Sequence, residues 1–256
     1  MQESFSFSRR DFLITSAAAG ISLAAGISGR AEDSGSPGSP KVKLGLDNFS
    51  VRAMKWNASQ LIDYAIALKT DSLFITDLDA FENFDEPYLS GLRKKAAEND
   101  LQIHLGTWSI CPTSKSFRNN RGTAEEHLQL GIRAARALGS PVIRVVLGSG
   151  DDRKSEGGIE ARIADTVKVC KASRSRAMDA GVKIAVENHA GDMQAWELVT
   201  LIEAAGKDYV GANIDSGNAC WTMEDPLENL ETLAPYVLTS SLRDSAVWES
   251  ENGATV

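Results

Sequence analysis

Short runs rich in aliphatic and β-branched residues recur along this chain about every 30 to 40 residues, with a longer stretch of helical period between each and the next. That rhythm leaves few architectures open. Neighbouring strands joined by a helix run parallel, because only a crossover connection returns the chain to the same edge of the sheet. Seven such runs are legible, at 43–50, 72–77, 102–108, 142–148, 183–189, 211–215 and 237–243. The helical stretches between them fall at 59–69, 86–99, 124–138, 159–180, 194–205 and 226–233, several closed by a glycine just past the end, as at Gly139, Gly181 and Gly206.

Alternation inside the runs separates two faces, since successive side chains of a strand point to opposite sides. In 183–189, Ile184 and Val186 share one parity while Ala185, Glu187 and His189 share the other. Ile103 and Leu105 oppose His104 and Gly106 in the same way, and Leu238 and Leu242 oppose Thr239, Ser241 and Arg243. An open doubly wound sheet would bury apolar residues on both faces. Here one face is aliphatic and the other gathers polar groups near the strand ends, as in a closed barrel whose carboxyl-terminal mouth holds the site. No Gly-x-Gly-x-x-Gly follows the first run, which further disfavours a dinucleotide fold. The expected class is therefore α/β, a (β/α)8 barrel over residues 41–256 with only seven strand–helix units evident. An eighth strand is expected beyond Val256, making the domain C-terminally incomplete, because unpaired barrel edges are avoided.

The first 31 residues read differently. Ser8-Arg9-Arg10-Asp11-Phe12-Leu13 precedes an uncharged Ala/Gly-rich stretch over 14–28, and Gly29-Arg30-Ala31 has the small-x-small form of a cleavage site. This is the layout of a bacterial export signal, and the paired arginines resemble the twin-arginine type. The apolar stretch of about 15 residues is shorter than the roughly 20 needed to span a bilayer, so no stable membrane insertion is expected after cleavage. Residues 32–40 form a Ser/Gly/Pro linker, and the mature protein is expected in the periplasm or another extracytoplasmic space. A net charge of −8 argues against nucleic acid as a partner and leaves a small ligand as the better fit. Cys111, Cys170 and Cys220 are odd in number and widely spaced, so they read as buried small residues and not as disulfides or metal ligands.

Chemistry concentrates at the ends of the fifth, sixth and seventh runs, in Val186-Glu187-Asn188-His189, Asn213-Ile214-Asp215-Ser216-Gly217-Asn218 and Ser240-Ser241-Leu242-Arg243-Asp244. Glu187 and Asp215 point into one mouth, and two carboxylates there repel each other unless a cation or a proton lies between them. A divalent metal satisfies that condition, with oxygen ligands favouring Mg²⁺ or Mn²⁺ and imidazole admitting Zn²⁺ or Co²⁺. The metal is the more economical explanation, with ion pairing to Lys183, Arg144 or Arg243 as the alternative. His189, Asn218, Arg243, His104 and Trp108 are candidates to contact a ligand, Trp108 as a stacking wall. An orienting role for His189 and an interior hydrogen-bonded role for His104 remain open. His127, beside Glu125 and Glu126, reads as a solvated surface residue, and Trp56, Trp196 and Trp221 as packing residues.

The succession of barrel strands ending in Val-Glu-Asn-His, Asp-Ser-Gly-Asn and Ser-Leu-Arg-Asp resembles the xylose isomerase-like sugar phosphate isomerases/epimerases, over residues 41–256. The resemblance implies a divalent metal held by Glu, Asp, His and Glu from four strand ends, and a carboxylate pair that moves a proton beside a sugar carbonyl. Carried over, Glu187 is the first ligand and a catalytic residue, Asp215 the second, and Ser241 stands at the position of the histidine. The fourth ligand would fall beyond Val256. Serine is the weaker ligand, so the metal is expected to be weakly held or absent. The resemblance thus implies a carbohydrate isomerase or epimerase, with a degenerate sugar-binding barrel as the alternative and association with a like copy left open. An endonuclease IV-like hydrolase is less supported, given three histidines and an acidic chain.

Overall fold

The computed structural model describes residues 42–251 and 253–255. The expected export signal at 1–31 and linker at 32–40 lie outside the described residues. Seven parallel strands pair in sequence order: β1 (Gly45–Asp47), β2 (Ser72–Ile75), β3 (Gln102–Ser109), β4 (Val142–Val146), β5 (Lys183–Glu187), β6 (Val210–Asp215) and β7 (Val237–Ser241). Helices cross between them: α1 (Ala58–Leu68), α2 (Glu86–Ala97), α3 (Ala124–Leu138), α4 (Gly158–Ala172), α5 (Arg174–Ala180), α6 (Ala195–Ala205) and α7 (Pro226–Leu233). A short antiparallel hairpin of β8 (Trp248–Ser250) and β9 (Gly253–Thr255) follows. Among the described residues no helix is long and apolar enough to cross a membrane.

The sheet is curled. His104 Nδ1 on β3 lies 3.2 Å from Thr239 Oγ1 on β7, although four strand spacings of about 4.8 Å would hold those strands roughly 19 Å apart in a flat sheet. Only a sheet bent toward a barrel brings them together. The expected split of faces holds. Ile103, Leu105, Ile143, Val145, Ile184, Val186 and Ile214 are buried outward against helix residues such as Leu128, Ile132, Leu198 and Leu201. Inward, the register aligns Gly106 with Arg144 and Ala185, and Glu187 with Asn213 and Thr239.

Local chemistry sets the helix ends. Asn57 and Gln60 cap α1 reciprocally, as Thr123 and Glu126 cap α3, each pair satisfying two backbone donors that the helix leaves free. Gly139, at φ 75°, closes α3 in the left-handed conformation that glycine adopts without a Cβ penalty.

Several expectations need correction. The first strand is shorter than 43–50, because the Asp47 carboxylate accepts the Phe49 N–H at 2.8 Å and starts a 3-10 turn over Asn48–Met54. The helix expected over 159–180 breaks at Ser173, whose ψ of 0° turns the chain out of line. The turn places Ala177 in the core and lets Arg174 pair with Asp208 and stack on Tyr209. His127 is not a solvated residue, being only 3% exposed. It lies on the inner face of α3, sharing a 2.6 Å hydrogen bond with the Thr107 hydroxyl of β3, and burial pushes its pKa down to about 4. Trp196 and Trp221 stand half out of the surface, whereas Trp56 packs on the core as expected. Cys111 and Cys170 are buried, and Cys220 only partly so.

Candidate active site

Strand order brings the expected acidic pair into one place. Glu187 ends β5 and Asp215 ends β6, and the pairing of Asp215 with Ser241 sets β7 beside them. Asn188 ties the first two ends: its side-chain oxygen accepts the Asp215 N–H at 2.8 Å, and its side-chain nitrogen donates to the Asp215 carbonyl at 3.1 Å. This clamp, unread in the sequence, holds both carboxylates at a fixed offset.

Each carboxylate already has a cation. Arg144, from β4, donates its Nε–H to Glu187 Oε2 at 2.5 Å and an Nη1–H to the Thr107 carbonyl at 3.0 Å. The two side chains are 8% and 2% exposed, so this is a buried ion pair. Asn213 Nδ2 also donates to Glu187 Oε2, at 2.9 Å, and Asn218 Nδ2 approaches Oε1 at 3.4 Å. Asp215 Oδ1 accepts from the Gly217 N–H at 3.1 Å and from Arg243 Nε at 2.8 Å. A further Arg243 nitrogen donates to Asn218 Oδ1, closing a chain from Asp215 through Arg243 and Asn218 to Glu187. Burial raises the Asp215 pKa, the Glu187 charge adds to that, and Arg243 opposes it. Asn213 Oδ1, beside the pair, is buried without a partner.

Of the other candidates, His189 and Trp108 meet edge to face with ring centres 5.2 Å apart, and the Arg118 guanidinium covers the Trp108 ring at 5.2 Å. His189 Nδ1–H donates to the Gly148 carbonyl at 2.6 Å, which can only accept, so the tautomer leaves Nε2 with a lone pair. Burial pushes the His189 pKa down to about 4, keeping it neutral. Beneath it, fully buried Asp192 accepts backbone N–H groups of Gly148, His189 and Met193. Burial pushes the Asp192 pKa up to about 8 against those three donors. His104 faces the interior, bonded to Thr239 and edge-on to Phe74, and burial lowers its pKa. Glu187, Asp215, Asn218 and Arg243 thus form one connected group, His189 and Trp108 a second, and His104 stands on the inner wall.

Whether a divalent ion fits is decided by what the donors already hold. Glu187 Oε2 and Asp215 Oδ1 each take two hydrogen bonds, Ser241 offers a neutral hydroxyl, and two permanent guanidinium charges stand against the carboxylates. Among the described residues no three His, Cys, Asp or Glu side chains are placed to share a metal. As folded, Glu187, Asp215 and Ser241 do not fit such an ion. Arg144 and Asn213 are the residues whose part in this site sequence reading underrated; Arg144 entered there only as one of three ion-pair partners.

Enzymes built on a parallel α/β barrel open their sites at the carboxyl-terminal mouth, where the polar strand ends of this chain lie. Residues 64–246 match the model of the xylose isomerase-like TIM barrel family, and the chain belongs to that family. Among curated relatives, it is 22% identical over 177 residues to the 3-oxo-isoapionate decarboxylase of Pectobacterium atrosepticum, covering 69% of this chain and 57% of that protein. The chain spans less than two thirds of the length of the curated relatives it matches, 58% and 57%. Among solved structures, a D-psicose 3-epimerase crystallised in the presence of D-fructose superposes with a TM-score of 0.63 at 16% identity, covering 83% of this chain and 76% of that one. The IolI protein, solved with a zinc atom, gives 0.62 at 14% identity, covering 78% and 72%. At such identities these likenesses bear on the fold.

Proposed function

We propose that the chain handles a small carbohydrate or carbohydrate derivative at the mouth of its barrel, as an isomerase or epimerase that moves a proton beside a carbonyl. The observation that carries this reading is the connected group Glu187–Asn218–Arg243–Asp215 at the ends of adjacent strands. Family membership and the D-psicose 3-epimerase likeness support the reaction class.

In this reading Glu187 is the proton-accepting group. Among the described residues its Oε1 has only the long contact to Asn218, while Arg144 and Asn213 hold Oε2 and fix the plane of the carboxylate. Arg243, with 40% of its side chain exposed and anchored through Asp215, meets the carbonyl oxygen on which charge develops. Neutral His189 accepts a sugar hydroxyl at Nε2, Asn218 and His104 contact further hydroxyls, and Trp108 gives the ring a wall. Export through a twin-arginine signal would place this activity outside the cytoplasm, and an assembly of like copies is compatible with it.

The test is solvent exchange. Ketoses and keto-sugars incubated with the protein in deuterium oxide should lose the proton signal at the carbon beside the carbonyl, and Glu187→Gln should abolish the loss. Saturable sugar binding without exchange for any of them would favour the second reading, a carbohydrate-binding barrel, which the occupied state of Glu187 also supports.

A further inference from the structure

We infer that the guanidinium groups of Arg144 and Arg243 replace a divalent cation at the acidic strand ends, so that this barrel holds no stoichiometric metal and polarises its ligand's oxygen through Arg243. Only the nature of that ligand is taken from the carbohydrate reading above; the charge balance stands on the geometry alone.

The two carboxylates and the two guanidiniums paired with them sum to zero. A divalent ion entering there would meet two fixed positive charges, and both must then move away. Neither can lose its charge, because arginine stays protonated in proteins, unlike a lysine or a histidine. Arg144 is also held in place. It is 8% exposed, its Nη1–H is bound to the Thr107 carbonyl at 3.0 Å, and Glu187 Oε2 lies at 2.5 Å. Its path is built into the sheet. Gly106 stands beside it in register, and a Cβ there would come within 3.3 Å of Arg144 Cδ and 3.1 Å of the Thr76 carbonyl. The glycine therefore leaves the space the arginine fills.

The donors left over are poor ones. Hard divalent ions take oxygen ligands at roughly 2.0–2.6 Å and demand several of them. Glu187 Oε2 and Asp215 Oδ1 are committed to two donors each, which leaves, among the described residues of these three strand ends, Glu187 Oε1, Asp215 Oδ2 and the neutral Ser241 hydroxyl. Arg243 is the complementary feature. It is tied to Asp215 through Nε and to Asn218 through Nη2, while Nη1 has no partner among the described residues. That arrangement presents a positioned donor and a positive charge to a carbonyl or carboxylate oxygen of the ligand, the electrostatic task of a metal without its ligand field.

The experiment is a metal titration of the full chain, stripped with chelator and then equilibrated with Mn²⁺ or Zn²⁺. The readouts are metal content by mass spectrometry after desalting and binding heat by calorimetry. Wild type should retain no stoichiometric metal. The Arg144→Met/Ser241→His variant, which removes one guanidinium and supplies an imidazole, should bind Mn²⁺ at least about tenfold more tightly. Circular dichroism checks that it folds, and the wild-type measurement decides the question even if it does not. One equivalent of metal retained by wild type would overturn the assignment, as would no gain in the folded double variant. No carbohydrate is present, so the outcome is independent of whether the isomerase reading holds.

Discussion

Replacing Arg144 by methionine keeps most of the buried stem and removes the charge that faces Glu187. Both partners are almost wholly out of solvent, at 8% and 2% side-chain exposure, so Glu187 would be left as a buried carboxylate without a counter-charge. Breaking such a pair from one side costs about 3–5 kcal/mol. Asn213 and Asn218 still donate to the carboxylate, at 2.9 and 3.4 Å, which places the expected loss near the lower end, about 3 kcal/mol. In a domain of this size that is a fall in Tm of roughly 6–12 °C. Adding Glu187→Gln removes the stranded charge and keeps an oxygen for the Asn213 donor, giving up only the 3.4 Å contact to Asn218, so the double variant should regain about 2 kcal/mol of the loss. Urea unfolding followed by far-ultraviolet circular dichroism gives the cycle directly. A single variant within about 1 kcal/mol of wild type would refute the buried pair, as would a double variant whose losses merely add.

Three further outcomes follow from the packing. His127 is buried neutral with its pKa down at about 4, against about 6.5 when unfolded, so its contribution is complete above pH 6.5 and is lost as pH falls from there toward 4. Urea midpoints of wild type should drop across that window, and His127→Asn should show a shallower drop between pH 6.5 and 5; parallel curves would exclude it. Ser140 accepts the Leu105 N–H at 3.0 Å and donates to the Val142 carbonyl at 2.7 Å from a position 3% exposed. Ser140→Ala should therefore cost about 1–2 kcal/mol in the same denaturation assay. Trp196, 58% exposed on the outer face of α6, should be replaceable by glutamine with a change in stability within about 0.5 kcal/mol, where a true packing residue would lose several.

What the sequence by itself determined was the class of fold and the address of the site. Period-2 alternation in strands and 3.6-residue period in helices are local consequences of backbone geometry, so seven strands, their order of faces and the polar strand ends at Glu187, Asp215 and Arg243 were legible without coordinates. What only the tertiary structure decided was which charge answers which. The sequence favoured a metal between the carboxylates and kept Lys183, Arg144 and Arg243 as the alternative answer. The curl of the sheet and its register put Arg144 against Glu187 and Arg243 against Asp215. His127 was misread for the same reason: its acidic neighbours in sequence suggested solvent, but one face of α3 lies against β3, and Thr107, twenty residues away, is what it touches. Burial and pairing depend on residues brought together across the barrel, and no local pattern carries that information.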